Sequence, residues 1–90
     1  MNTKDIIEQI LKDTFKISSL EVIDDSAKHA GHKAAIESGG GHFTVNIISD
    51  DFKDKKLIER HRMINSALKE ELKTTIHALA IKTHTPSEMS

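Results

Sequence analysis

Six histidines are the residues in this chain best equipped for chemistry, and they fall in a loop, on a helix face and at strand borders. His29 and His32 form an H-x-x-H pair within "DDSAKHAGHKAAIESGGGHF", and His42 closes the same stretch beside Phe43. In a loop, that spacing can bring two imidazoles to one metal, but a closed zinc site wants four protein ligands. The stretch offers His29, His32 and His42 with no cysteine or acidic partner at convincing spacing, so a polar, solvated loop is the competing reading. His42 opens a strand and is expected to hydrogen-bond the strand end. His61 lies between Leu57 and Ile64 on an apolar stripe, where a satisfied, half-buried core role is expected. His77 stands where a helical region hands over to a strand, among Ile76, Ala78 and Leu79. Those small and apolar neighbours leave its imidazole accessible, as a ligand, a proton donor or a cap for the preceding carbonyls. His84 reads as solvated.

Catalytic constellations find little support, and no enzymatic activity is expected. Ser26 and Ser38 lie near histidines, but neither sits in a nucleophile-elbow pattern. Asp24-Asp25 and Asp50-Asp51 read as strand terminators. The glycines at 39–41 are followed by a strand and by no Gly-Lys-Ser/Thr, so they do not form a phosphate loop. With no cysteine, the chain has neither disulfides nor thiolate metal sites of its own.

The elements that must position these histidines follow from periodicity. Thr3 can cap a first helix, and Ile6, Ile7, Ile10, Leu11 and Thr14 recur at helical spacing. "ISSLEVIDD" carries a short strand through Leu20, Val22 and Ile23, and "HFTVNIIS" a second that alternates Phe43, Val45 and Ile47 against Thr44, Asn46 and Ile48. From about Asp54 to Leu72 the pattern is helical. Leu57, His61, Ile64, Leu68 and Leu72 share one face, Arg60 and Arg62 point elsewhere, and a break falls within 65–69 or not at all. "HALAIKTHT" is a third strand with Leu79 and Ile81 on one side, and Pro86 marks a tail over 85–90. A helical crossover makes the third strand parallel to the second if the two are adjacent. The fold class is α+β: one amphipathic sheet with helices on one face, in a single domain over 1–90 with its core at about 3–84. The 24–41 loop exceeds the roughly 12–15 residues beyond which structureless loops are usually functional or disordered.

Thirteen basic and fourteen acidic side chains nearly cancel, which argues against a strong sequence-independent grip on nucleic acid. Lys53, Lys55, Lys56, Arg60 and Arg62 form a modest basic patch, diluted by Asp54 and Glu59. No secretory leader and no membrane-length apolar run is visible, so a soluble cytoplasmic protein is expected.

Over essentially its whole length the chain resembles the BolA family. The matching stretches are "DDSAKHAGH", "HFTVNIIS", "LIERHRMINSALKEEL" and "IHALAIKTHTPSE", and "RHR" at 60–62, "IHAL" at 76–79 and "TP" at 85–86 are specific in combination. Asp54 departs from the family, which often has glycine before the long helix. The resemblance implies an αββααβ fold related to type II KH domains, with a three-stranded mixed sheet. It implies a partnership with a monothiol glutaredoxin that shares a 2Fe–2S cluster, in iron–sulfur cluster trafficking or iron regulation. The family ligand in the final segment falls on His77, and a second ligand comes from the long loop, where His29 and His32 are the candidates. Since the chain has no thiolate, it is expected to hold no cluster alone; the thiolates would come from the glutaredoxin and its glutathione. The family's other role is DNA-binding transcriptional regulation in bacterial stress response and cell morphology, which would use Lys53, Lys55, Lys56, Arg60 and Arg62. Against it, the GxxG backbone clamp of KH domains is missing. Alone, the chain is expected to be a monomer or a weak homodimer.

Overall fold

The computed structural model describes residues 2–25 and 41–89. Helix α1 spans Thr3–Thr14, and strands β1 (Ile17–Asp24) and β2 (His42–Ser49) follow. A 3-10 turn, Asp50–Phe52, leads to α2 (Leu57–Ala67), α3 (Lys69–Thr74) and β3 (Ala78–His84), and a second 3-10 turn covers Pro86–Met89. This is the αββααβ order expected. The sheet order is β1-β2-β3, with β1 antiparallel and β3 parallel to the central β2. The predicted alternation of β2 holds: Phe43, Val45 and Ile47 are buried, and their neighbours are half-buried on the other face. The buried face packs with Ile7 and Leu11 of α1 and with Ile64 and Leu68 of the α2–α3 arm in one core. Each such large side chain contributes about 1.5–3 kcal/mol when fully buried.

Local chemistry sets the element ends. The side chain of Asn2, not Thr3, caps α1 by accepting the Asp5 N–H at 2.9 Å. Phe15 then turns its ring onto Phe52, with centroids 5.5 Å apart. The helical stretch breaks at Leu68, inside the expected window, where Leu68 ends α2 and opens α3. Asp54 has φ +62°, which explains why glycine suits that turn.

Two expectations fail on α2. Leu57 shares the face of Ile64 and Leu68 by spacing, yet it is 62% exposed, because the helix's first turn reaches beyond the core. Arg60 is instead drawn in and is only 9% exposed. Its Nε donates to the Lys55 carbonyl at 3.0 Å, and its Nη1 and Nη2 donate to the two Glu88 oxygens at 2.8 and 2.9 Å. Residues 85–88, read as part of a tail, therefore form a fastened turn. Thr85 is buried, its N–H donates to Glu88 at 2.8 Å, and the Glu88 N–H reaches back to Thr85 Oγ1 at 3.3 Å. This is the reciprocal bonding of a capping box.

His61 is half-buried as expected but not satisfied: its Nε2 is buried with no hydrogen-bond partner among the described residues. An unmade buried hydrogen bond costs about 1–3 kcal/mol. Replacing His61 by leucine, which removes the polar atom and keeps most of the volume, is therefore expected to leave the thermal midpoint unchanged or raise it. A fall of several degrees in a melting experiment would show that the ring nitrogen is satisfied in solution.

Candidate functional site

The parallel pairing of β2 with β3 sets His42 opposite Ala78, and this brings His77, the residue before β3, alongside. The His42 and His77 ring centroids are 5.4 Å apart at an interplanar angle of 39°. Sequence reasoning favoured a strand-end role for His42 and weighed it as a ligand only with His29 and His32, because the 34 intervening positions hide a contact with His77 that depends on long-range register. The Gly-His dipeptide before a strand was the one local signal.

The backbone holds this pair from below. After α3, the Thr75 and Ile76 N–H groups both donate to the Glu71 carbonyl, at 2.9 and 2.8 Å. Ile76 is then buried in the core, and the next side chain, His77, is exposed. The N–H groups of His77 and Ala78 converge on the Gly41 carbonyl, at 2.7 and 3.1 Å. Gly41 has φ +60°, and a Cβ there would stand 3.0 Å from the Thr75 carbonyl oxygen and 3.1 Å from both His77 Cβ and His77 N. Glycine is required at this point by conformation and by space.

The imidazole of His77 makes no hydrogen bond among the described residues, and His42 is half-buried beside it. Neutral imidazoles are metal ligands, and the two rings stand side by side at this end of the sheet. Among the described residues no group of three His, Cys, Asp or Glu side chains is gathered as a metal site. His29 and His32 lie outside the described residues. The donor set in view is two imidazoles and no thiolate. It suits one side of a mixed His/Cys iron–sulfur site and does not suit a self-contained cluster.

The basic patch is only partly available. Lys53, Lys55, Lys56 and Arg62 are exposed and make no ion pair among the described residues. Arg60 corrects the expectation that it faces a phosphate: its guanidinium is committed to Glu88 and to the Lys55 carbonyl. No helix among the described residues is long and apolar enough to cross a membrane.

Comparison with known proteins adds four likenesses. A family model described as BolA-like protein matches residues 11–88. The DNA-binding transcriptional regulator BolA of Escherichia coli (strain K12) is 44% identical over 88 residues, which cover 98% of this chain and 80% of that protein. The chloroplastic/mitochondrial SufE-like protein 1 of Arabidopsis thaliana is 47% identical over 74 residues, which cover 78% of this chain and only 20% of that longer protein. The solved structure of BolA1 from Arabidopsis thaliana matches with a TM-score of 0.85 at 36% identity, covering 98% of this chain and 96% of that one.

Proposed function

This chain belongs to the BolA-like family, and from that premise we propose that it partners a monothiol glutaredoxin and shares a 2Fe–2S cluster with it, in cluster trafficking or iron regulation. The observation that carries the reading is His77. It is exposed, held rigidly by the Gly41 carbonyl, and set beside His42 in a chain with no cysteine. Such a site can complete a ligand set but not supply one. Bound between partners, the cluster would give one-electron chemistry at a potential raised by imidazole ligation, as in Rieske centres. The chain's own contribution is positional. Ile76 anchors the segment, the two N–H bonds to Gly41 fix its direction, and His77 presents a nitrogen to the surface. The second nitrogen comes from His42 or from His29 or His32 in the loop.

Anaerobic reconstitution tests this. The chain alone should give no stable visible chromophore. With a monothiol glutaredoxin and glutathione it should give one, distinct from that of the glutaredoxin alone. His77→Ala should weaken the hetero-complex spectrum without lowering the melting point, and His42→Ala, His29→Ala and His32→Ala in parallel identify the second donor. An unchanged spectrum with no hetero-complex would sink the proposal. DNA binding is the second reading, favoured by the E. coli relative's name and by the exposed cations at Lys53, Lys55, Lys56 and Arg62. With so few phosphates neutralised, log K against log salt should be shallow. Binding should fall when those four are replaced by alanine and be indifferent to His77→Ala. Tight, steeply salt-dependent DNA binding with no glutaredoxin binding would reverse the order of the two readings.

A further inference from the structure

Among the described residues three large hydrophobic side chains are strongly exposed: Leu57 at 62%, Ile58 at 58% and Met89 at 56%. Two of them are consecutive, and the third is tied to the same helix through its neighbour Glu88. Leu57 and Ile58 form the first turn of α2, and Met89 follows Glu88, which Arg60 fastens to that same end of the helix. Three lysines stand immediately before the turn. Lys53, Lys55 and Lys56 are all exposed, and none makes an ion pair among the described residues. The helix start adds to their potential, since Lys56 at the N-cap supplies no side-chain acceptor.

We propose that Leu57, Ile58 and Met89, rimmed by Lys53, Lys55 and Lys56, form a docking surface for an acidic protein segment that carries large aliphatic side chains. Isolated exposed apolar residues need no explanation, but apolar residues grouped with a polar rim mark interaction sites. Leu57 is the clearest case. It stands at the spacing of the core residues Ile64 and Leu68 and yet packs into nothing that keeps water off it. Charge complementarity selects the partner's sign, because among the described residues the three lysines make no ion pair and outnumber Asp54, the one carboxylate between them. The apolar anchors select protein over nucleic acid, since phosphates gain nothing from Leu57 and Ile58. A bilayer fits less well: the face of α2 that bears Leu57 continues into the core through Ile64 and Leu68, so the helix cannot lie down on a membrane. The clamp acquires a purpose in this arrangement, as it ties the residue before Met89 to Arg60 in the first turns of α2. The surface is independent of the histidine pair, and its test does not require a cluster.

The test is a titration of the full-length, isotope-labelled chain followed by backbone amide NMR. The probe is a synthetic amphipathic helix of alternating leucine and glutamate clusters. Its lysine-for-glutamate counterpart, a mixed-sequence DNA duplex and vesicles of phosphatidylcholine with phosphatidylserine are run beside it. The acidic peptide should give saturable shifts at 53–58 and 86–89. Affinity should fall by about tenfold or more, a difference of about 1.4 kcal/mol, in both Leu57→Ser/Ile58→Ser and Lys53→Gln/Lys55→Gln/Lys56→Gln. His77→Ala should bind like the parent. Because all the substituted side chains are exposed, the melting point should stay within a few degrees. Absence of saturable shifts in those two segments overturns the proposal. So does tighter binding of the duplex or the vesicles than of the acidic peptide, and so does a Leu57→Ser/Ile58→Ser variant that binds as well as the parent.

Discussion

Gly41→Ala is expected to lower the melting temperature by about 10–20 °C, the fall that about 2–3 kcal/mol produces in a domain of this size. The first part of the cost is conformational. The φ of +60° lies in the left-handed region, which disfavours an L side chain by roughly 1–2 kcal/mol. The second part is space. The new methyl meets the Thr75 carbonyl oxygen at 3.0 Å and His77 Cβ and N at 3.1 Å, and none of these is the free end of a flexible chain. Relief requires the 75–77 segment to move away from β2. That movement weakens the bonds from the His77 and Ala78 N–H groups to the Gly41 carbonyl and separates His77 from His42. The variant should therefore lose hetero-complex formation with the glutaredoxin more completely than His77→Ala, which leaves the backbone in place. D-alanine at the same position, introduced by ligation, accepts a positive φ and should recover most of the stability. A melting point for Gly41→Ala within a degree or two of the parent would show that neither the strain nor the contact is present in solution.

Arg60→Ala is expected to destabilise the chain by about 2–3 kcal/mol. Hydrogen bonds to charged groups contribute about 1.5–3 kcal/mol, and breaking a buried pair costs about 3–5. The lower figure applies because Glu88 remains 43% exposed and regains water when its partner is removed. Arg60→Lys keeps the charge but loses the two-pronged geometry and should fall between the parent and the alanine variant. The pair also predicts an acid dependence. The Arg60 guanidinium, with the Thr85 N–H in support, lowers the Glu88 carboxyl from its ordinary 4.5 to about 2. The folded form thus binds this proton less readily than the unfolded chain. The contribution is complete above about pH 5 and disappears as the pH falls from about 4.5 towards 2. Glu88→Gln has no such proton to bind. Its stability deficit against the parent, measured by urea unfolding, should be constant from neutrality to about pH 5 and shrink below that. A deficit that is the same at pH 3 as at pH 7 would mean that Arg60 does not act on the carboxylate.

The periodic features of this chain were determined by the sequence itself. The alternation through Phe43, Val45 and Ile47, the helical recurrence of Ile7 and Leu11, and the border position of His77 each depend on neighbours a few residues away, and each is observed. Side-chain period is a local property of backbone geometry, so it can be read without knowing the partner element. What tertiary structure decided is everything that depends on where an element ends against the core. Leu57 has the right spacing for burial and is exposed because α2 begins outside the core; Arg60 has the wrong chemistry for burial and is drawn in because Glu88 arrives to meet it. The site follows the same division. The residue type and exposure of His77 were legible, but its pairing with His42 requires the parallel register of β2 and β3 and the left-handed Gly41 that lets the two chains approach. Those contacts join residues separated by a helical arm, and no local pattern encodes the register in which such an arm returns the chain to the sheet.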